Sequence, residues 1–309
     1  MMGHVPVMLQ EALDLLATEC PPRRLVDATL GLGGYSEALL ERWERVLVLG
    51  IDQDGVALAH ARQRLAPFGD RMTLRQGNFR HLDEWIRAWG CAEVDGIVFD
   101  LGVSNMQLSE PDRGFSFQED GPLDMRMDPL SETDTAAELV KRLSFGELAR
   151  IFREYGEEPH AGAMARLLVR ARERGESLER TGDVVRVLRE GLPAPLQRKM
   201  GTHPARRIFQ ALRLKVNDEL GALEAVLEVL PTVLSPGGSV VVVSYHSLED
   251  RIIKRRFLSW KNAGLGDILT RKPLVPSEAE VERNYKARSA KMRGFRVAPS
   301  QRVLLRTVI

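Results

Sequence analysis

Short apolar runs alternate with helix-like segments over the first hundred residues of this 309-residue chain, which limits the folds that it can adopt. The runs are continuously apolar, as is typical of strands that are buried on both faces of a sheet. The pattern predicts strands and helices that alternate along the chain. This order is typical of an α/β fold with a doubly wound, mostly parallel sheet covered by helices on both faces. The predicted strands are residues 24–27, 45–52, 72–76 and 94–100, and the predicted helices are residues 36–43 (starting on a Ser36 cap), 55–65 and 82–89.

The alternation stops after Asp100, and the next hundred residues contain no convincing strand. Residues 139–155 and 161–174 space their apolar side chains as amphipathic helices do, and residues 181–189 predict a shorter helix. We therefore expect an inserted all-helical subdomain at residues 105–205, and we expect this subdomain to recognise the substrate.

The α/β pattern returns in the last third of the chain. It predicts a helix at residues 206–230, a turn at 235–238, a strand at 239–245, a helix at 248–260 and a closing edge strand at 301–308. The sheet domain is thus expected to consist of residues 1–104 and 206–309.

The composition excludes several other classes of protein. A hydrophobic content of 44% and a charged content of 28% are ordinary for a folded globular chain. The apolar run at residues 240–243 is far too short to cross a bilayer, and the N-terminus lacks a signal-peptide layout, so we expect a cytoplasmic protein without membrane contact. Cys20 and Cys91 are far apart and have no neighbouring His or Cys, so neither a disulfide nor a metal site is expected.

Positive charge is concentrated near the end of the chain. Although the whole chain has a net charge of +1, residues 251–309 contain fifteen Lys or Arg against four acidic residues. Such asymmetry is typical of a protein with one surface that faces a polyanion. Solvated helix faces would explain the same charges equally well.

The ends of the predicted strands contain candidate ligand-binding residues, because an open α/β sheet binds ligands beyond the carboxyl ends of its strands. After the first strand, glycines at Gly31, Gly33 and Gly34 allow a tight turn that a ligand can approach closely. Asp52 ends the second strand about twenty residues later, where an acidic side chain binds both ribose hydroxyls of an adenosine. This spacing predicts an adenosine-containing cofactor.

The loop itself favours S-adenosylmethionine over a nicotinamide dinucleotide, because it departs from the G-x-G-x-x-G pattern of pyrophosphate binding. A nicotinamide-dependent oxidoreductase remains the alternative from a different enzyme class. In either case Phe79 could lie against the adenine. If the cofactor is S-adenosylmethionine, Asp100 could reach its charged amino-acid end.

Motifs throughout the chain resemble those of the MraW/RsmH family of methyltransferases. They occur in order at residues 4–8, 27–34, 100–104, 113–117, 121–128, 203–207, 209–213, 216–220, 244–250 and 288–291. The resemblance implies a class I, Rossmann-like methyltransferase that uses S-adenosylmethionine to methylate N4 of a cytidine in the decoding region of bacterial small-subunit (16S) ribosomal RNA. The implied partner is this RNA or the small ribosomal subunit, and a homodimer is left open.

The resemblance also implies a set of cofactor-binding residues: Gly33, Gly34, Tyr35, Asp52, Phe79, Asp100 and Gln107. The chain departs from the family pattern at three positions. Tyr35 stands where the family usually has His, Asn105 where it has Ser, and Tyr245 where it has Phe. A non-catalytic RNA-binding factor with a vestigial pocket is a further alternative, for which Asn105 and Tyr245 are the only hints.

The implied reaction needs a group that accepts a proton from the cytosine amine. Candidates are Asp100, the backbone carbonyls of residues 101–104, and His246, which we assign as the catalytic residue; a structural histidine is the alternative. Asp250 is predicted to pair with a neighbouring cation. Asp124, Arg126 and Asp128 are predicted to order their loop by ion pairs rather than to bind a metal. Aromatic faces available to a base are Phe115, Phe117, Tyr245 and Tyr285.

Overall fold

The computed structural model describes residues 6–18, 20–199 and 203–299. Within these residues the chain divides into two compact units. One unit holds the described residues up to Gly102 together with those from Leu220 onward, and the other is Val103–Glu219.

The first unit is built on a seven-stranded sheet with the strand order β3-β2-β1-β4-β5-β7-β6. Strands β1 to β5 are parallel to their neighbours, whereas β7 runs antiparallel to both β5 and β6. The strands are β1 Arg24–Asp27, β2 Leu47–Asp52, β3 Met72–Gln76, β4 Val94–Asp100, β5 Leu234–Ser244, β6 Gly266–Ile268 and β7 Lys291–Val297.

Helices cover both faces of this sheet. They are α1 Leu9–Leu16, α2 Gly34–Arg42, α3 Gly55–Leu65, α4 Leu82–Ala88, α12 Glu219–Val233, α13 Ser247–Asn262 and α14 Glu278–Arg283, with helices α5 to α11 in the other unit. Short 3₁₀ helices occur at Ala66–Arg71, Phe79–His81 and Tyr285–Ser289.

Successive side chains of each central strand enter two different cores. Val26, Phe99 and Val242 pack with α4, α12 and α13, whereas their neighbours Leu25 and Val98 pack with α1, α2 and α3. Because consecutive strand residues point to opposite faces, a strand that is buried on both sides must be apolar throughout. The predicted doubly wound, mostly parallel α/β sheet is therefore confirmed.

The second unit is helical and has its own apolar core. Its helices are α5 Asn105–Ser109, α6 Ala136–Arg142, α7 Phe145–Glu154, α8 Ala161–Glu173, α9 Thr181–Gly191, α10 Ala194–Lys199 and α11 Arg206–Val216, with a 3₁₀ turn at Pro111–Arg113. The insertion was predicted at residues 105–205, whereas the division in the structure falls at 102/103 and 219/220. Helix α11 lies in this unit because Ile208, Phe209 and Leu212 are buried in the helical core.

Two predicted helices are each divided in the structure. The predicted helix at 139–155 is broken at Leu143, because Ser144 and Glu147 form a capping box that starts α7. The predicted helix at 206–230 is broken at residues 217–218, where Asp218 adopts a positive φ of 47°.

Three further predictions differ from the structure or lie outside it. Ser36 does not cap α2, which starts two residues earlier after Gly33; instead, its hydroxyl donates to Asp27. Strands β6 and β7 were not predicted. The edge strand expected at residues 301–308 lies outside the described residues. Among the helices of the described part of the chain, none is long and apolar enough to span a membrane.

Candidate functional site

The carboxyl ends of β1, β2 and β4 lie side by side and end in Asp27, Asp52 and Asp100. Hydrogen bonds from backbone amides to side-chain oxygens connect these strand ends with the loop that follows β1. The amide of Gly31 donates to Asp52 Oδ2 (2.7 Å), and the amide of Asp100 donates to Thr29 Oγ1 (2.6 Å). Since the strands are parallel, one edge of the sheet gathers three carboxyl groups from residues that are far apart in sequence.

The glycine turn between β1 and α2 adopts positive φ angles, a backbone conformation that favours glycine. Gly31 and Gly33 have φ values of 52° and 81°. Packing adds a second reason, because a Cβ on Gly33 would lie 2.9 Å from Leu65 Cδ1 and one on Gly34 would lie 2.6 Å from Pro6 Cγ. The structure thus explains Gly33 and Gly34 by contacts within the protein, in addition to any approach of a ligand.

Tyr35 directs its side chain into the core of the sheet domain. It is only 4% exposed, and its hydroxyl donates to the backbone carbonyl of Val7. Any contact of this residue with a ligand in the turn would therefore be made by its backbone. The departure from the family pattern at this position serves packing of the N-terminal segment.

Asp52 is held by the backbone on both carboxylate oxygens. Oδ2 accepts from the amide of Gly31, and Oδ1 accepts from the amide of Asp54 (2.9 Å). Burial raises the pKa of Asp52 to about 6, and these two amides work against that rise. At neutral pH the side chain is a carboxylate in one fixed orientation, with lone pairs left to accept from two hydroxyl groups.

Phe79 lies directly after β3, at the start of a 3₁₀ helix. It is partly buried, and its ring packs edge-to-face on Phe99 with the ring centroids 5.6 Å apart. The neighbouring Asn78 caps this helix by accepting from the amide of Arg80 (3.0 Å). An aromatic ring is thus fixed at the same edge as the three carboxyl groups, with part of its surface uncovered.

Asp100 is paired with a residue that the sequence did not link to it. The hydroxyl of Tyr245, directly after β5, donates to Asp100 Oδ1 at 2.6 Å. Burial raises the pKa of Asp100 to about 6, whereas the hydrogen bond from Tyr245 and the charge of Lys286 lower it. Lys286 also lies over the Tyr245 ring, with its Nζ 6.0 Å from the centroid.

Asp27 is a site residue that the sequence reasoning did not assign. It is fully buried, and Oδ2 accepts from the hydroxyl of Ser36 (2.8 Å), whereas Oδ1 accepts no hydrogen bond that meets normal geometry. Burial raises its pKa to about 7, opposed by Ser36 and the Thr29 amide and reinforced by the charges of Asp100 and Asp52. The signal that could have found it is its position as the last polar residue of a buried strand.

His246 caps helix α13. Its Nδ1 accepts from the amide of Glu249 (3.5 Å), and the amide of His246 donates to Glu249 Oε2 (3.3 Å). The other ring nitrogen, Nε2, is buried and lies 3.1 Å from Glu249 Oε1. Both ring nitrogens therefore face Glu249, and the catalytic role assigned from the sequence stays a prediction.

The ion pairs predicted for Asp250 and Asp124 are confirmed, whereas Asp128 Oδ1 accepts from the amide of Leu130 (3.0 Å). Asp250 pairs with Arg293 Nε (2.6 Å) and Lys291 Nζ (3.5 Å), and Asp124 pairs in bidentate fashion with Arg126. Among the described residues, no cluster of three His, Cys, Asp or Glu side chains has the arrangement of a metal site.

Gln107 belongs to the helical unit. Its side chain is 5% exposed and closes the capping box of α5, where Oε1 accepts from the amide of Ser104 (2.9 Å). The other six predicted cofactor residues all lie in the sheet unit, at or next to the carboxyl ends of β1 to β4.

These residues fit the chemistry of S-adenosylmethionine. Its methionine end has two positive charges beside one carboxylate, and the edge supplies the fully buried carboxyl group of Asp27 and the partly buried one of Asp100. One oxygen of Asp27 lacks a well-formed hydrogen bond. The ribose of the cofactor has two neighbouring hydroxyls, which match the two oxygens of Asp52. Its adenine is a flat ring, for which Phe79 offers an aromatic face.

The strand order, with a single reversed strand beside the edge strand, and this acidic carboxyl edge define a class I, Rossmann-like methyltransferase that uses S-adenosylmethionine. The model of the MraW methylase family matches residues 1–298. The chain belongs to this family.

Similar proteins cover nearly the whole chain. Ribosomal RNA small subunit methyltransferase H of Carboxydothermus hydrogenoformans is 46% identical over 309 residues, covering 94% of this chain and 96% of that protein. The protein of the same name from Symbiobacterium thermophilum is 45% identical over 306 residues, covering 94% and 95%. A solved rRNA methylase from Streptococcus thermophilus has a TM-score of 0.43 and 12% identity, covering 96% of this chain and 99% of that chain.

Proposed function

We propose that this enzyme transfers the methyl group of S-adenosylmethionine to N4 of a cytidine in the decoding region of bacterial small-subunit (16S) ribosomal RNA. The observation that carries the proposal is the identity of 45–46%, over nearly the full length, to proteins named Ribosomal RNA small subunit methyltransferase H. The proposed substrate is a cytoplasmic RNA, and we place the enzyme in that compartment.

For the cofactor we propose seven contacts. Asp52 accepts hydrogen bonds from both ribose hydroxyls, Phe79 lies against the adenine, and Asp100 binds the positively charged methionine end. The remaining contacts are made by Gly33, Gly34, the backbone of Tyr35, and Gln107. These roles are supported by the fixed carboxylate of Asp52, the partly uncovered ring of Phe79 and the partly buried carboxylate of Asp100.

When bound, S-adenosylmethionine supplies an electrophilic methyl group, so the protein mainly needs to align the donor and the acceptor. The residues of this chain must also manage the proton that the cytosine amine loses. A neutral His246 whose Nδ1 accepts from Glu249 carries its proton on Nε2, which makes it a hydrogen-bond donor there. We therefore propose that Asp100 and the backbone carbonyls that follow it accept hydrogen bonds from the amine and receive its proton. His246 is the alternative proton acceptor.

For RNA contact we propose Tyr285 and the exposed cations of α13. Of the four aromatic residues predicted to face a base, Phe115 is buried, Phe117 stacks on His203, and Tyr245 is engaged with Asp100. Tyr285 is 72% exposed, with the Arg288 guanidinium 5.7 Å from its ring centroid. A ring that is open to solvent and flanked by a cation is suited to stacking on an unpaired base.

The proposal is tested by methyl transfer from labelled S-adenosylmethionine to naked 16S RNA and to small subunits, with the modified nucleotide mapped by mass spectrometry. Asp52→Ala should weaken cofactor binding about 100-fold, because it removes two hydrogen bonds to a charged group. The matched control is Asp267→Ala on β6, whose side chain is 84% exposed. Absence of transfer to RNA and subunits alike would refute the proposed substrate.

A further inference from the structure

Tyr245 touches two charged residues of the site at once. Its hydroxyl donates to Asp100 Oδ1 at 2.6 Å, and Lys286 Nζ lies over its ring. Its own backbone is fixed too, because its amide donates to Glu249 Oε2 (2.9 Å). The phenol is therefore held against a single oxygen of Asp100 from a neighbouring strand end.

We propose that Tyr245 is a positioning residue for cofactor binding: its hydroxyl fixes the orientation of Asp100 and keeps that side chain in the carboxylate form. The inference rests on the proposed role of Asp100 toward the methionine end of the cofactor. It adds a residue to the site whose effect is exerted through Asp100.

The surroundings of Asp100 make this hydrogen bond necessary. Besides Tyr245, the charged or titratable groups that face Asp100 are Lys286, Glu249, Asp27 and Tyr35. Only Lys286 among them carries a charge that favours a carboxylate, whereas burial and the charge of Glu249 oppose it. Removing the donor from Tyr245 would leave this one cation against burial and the charge of Glu249.

Tyr245 is suited to remain a donor throughout the relevant pH range. Burial, together with the charge of Asp100, raises the pKa of the phenol well above its usual value. A phenylalanine at this position would fill the same volume and keep a ring beneath Lys286, but it would leave Asp100 Oδ1 without this hydrogen bond. Tyr245→Phe therefore isolates the hydroxyl from the packing of the ring.

The test is the dissociation constant of S-adenosylmethionine, measured by calorimetry without RNA between pH 5.5 and pH 8.5. A hydrogen bond to a charged group corresponds to about one to two pKa units. In Tyr245→Phe, the pH below which cofactor binding is lost should therefore rise by that amount. Binding should be about tenfold weaker than in the wild type at pH 6 and within about twofold at pH 8.5. A purely structural role would weaken binding equally at both pH values.

Two further variants complete the experiment. In an Asp100→Asn background the added Tyr245→Phe change should have no pH-dependent effect, since the asparagine side chain does not titrate. Tyr155→Phe, in the helical unit, is the control for loss of a tyrosine hydroxyl and should reproduce the wild-type curve. Thermal melting of each variant monitors folding.

Identical pH dependence in the wild type and Tyr245→Phe, including a flat one, overturns the inference, and so does a pH-dependent effect that persists in the Asp100→Asn background. The proposed RNA substrate is tested separately by methyl transfer. An enzyme that binds the cofactor as described but methylates no ribosomal RNA would refute the proposed function and leave the role of Tyr245 standing.

Discussion

Asp27 is a fully buried acidic group at the carboxyl edge of the sheet. Ser36 donates to one of its oxygens, and its pKa is raised to about 7 by burial and by the charges of Asp100 and Asp52. In an unfolded chain the same carboxyl group titrates near 4. The folded protein therefore binds one more proton than the unfolded chain between about pH 4 and pH 7.

This difference predicts a pH-dependent stability. Because the folded pKa is raised, the contribution of Asp27 is fully present below about pH 4 and is lost as the pH rises from there through 7. Between pH 5 and pH 8, the free energy of unfolding should fall by about 2 to 3 kcal/mol more in the wild type than in Asp27→Asn. The amide oxygen of the introduced asparagine can still accept from Ser36, so that hydrogen bond is retained.

The measurement is denaturant unfolding of both proteins at several pH values. Asp14→Asn, at an exposed position on α1, is the matched control and should change the pH dependence little. Parallel curves for the wild type and Asp27→Asn would show that Asp27 titrates normally in the folded protein.

Sequence reasoning places candidate site residues correctly at strand ends where the fold sets their spacing along the chain. Asp52 could be predicted because it ends a strand about twenty residues after the glycine turn, and its two backbone amides confirm that its orientation is fixed. The contact between Tyr245 and Asp100 could not be predicted, because it joins residues 145 positions apart. Such contacts depend on which strands become neighbours, and local pattern does not determine this.

At the scale of elements, the first four strands were predicted well. The predicted bounds of β1, β3 and β4 agree with the structure, because polar or turn residues flank each apolar run. Helix ends were harder to predict where one amphipathic pattern continues across a break between two helices. The start of α7 was readable in principle from Ser144 and Glu147, whereas the end of α11 depends on Asn217, whose side chain bonds to the backbone of Met125 and Met127.

Helix α13 begins at Ser247 and is capped by His246, and this cap provides a test of His246. We expect His246→Asn to keep the melting temperature and to retain most of the methyl-transfer activity, because Asn also caps helices well. His246→Ala should lose about 1 kcal/mol of stability through loss of the cap. Melting curves and single-turnover rates of the two variants are the measurements.

The two roles of His246 give different results in this pair. If His246 accepts the proton, His246→Asn will lower the rate of methyl transfer at least about 100-fold while folding and cofactor binding stay intact. That result would establish the catalytic role predicted from the sequence.

Over the whole molecule, the basic end of the chain serves two purposes. Part of its charge is used internally: Arg293 pairs with Asp250, Arg296 donates to the carbonyls of Leu15 and Ala17, and Lys261 pairs with Asp267. The excess of fifteen cations over four acids therefore overstates the charge that is open to a partner. Cations that remain exposed on α13 include Lys254 and Arg255.

These two cations predict a specific dependence on salt. If Lys254 and Arg255 each contact a phosphate of the proposed RNA substrate, replacing both by Ala should reduce the slope of log(kcat/KM) against log[NaCl] by about 1 to 1.5. The KM for RNA should rise, whereas the dissociation constant of S-adenosylmethionine should not change, because α13 presents these side chains to solvent. The matched control is Arg23→Ala with Arg24→Ala, which removes two exposed cations at the amino end of β1, opposite to the carboxyl edge. Equal loss of salt dependence in both double variants would mean that the RNA responds to net charge alone and that α13 contains no defined contact.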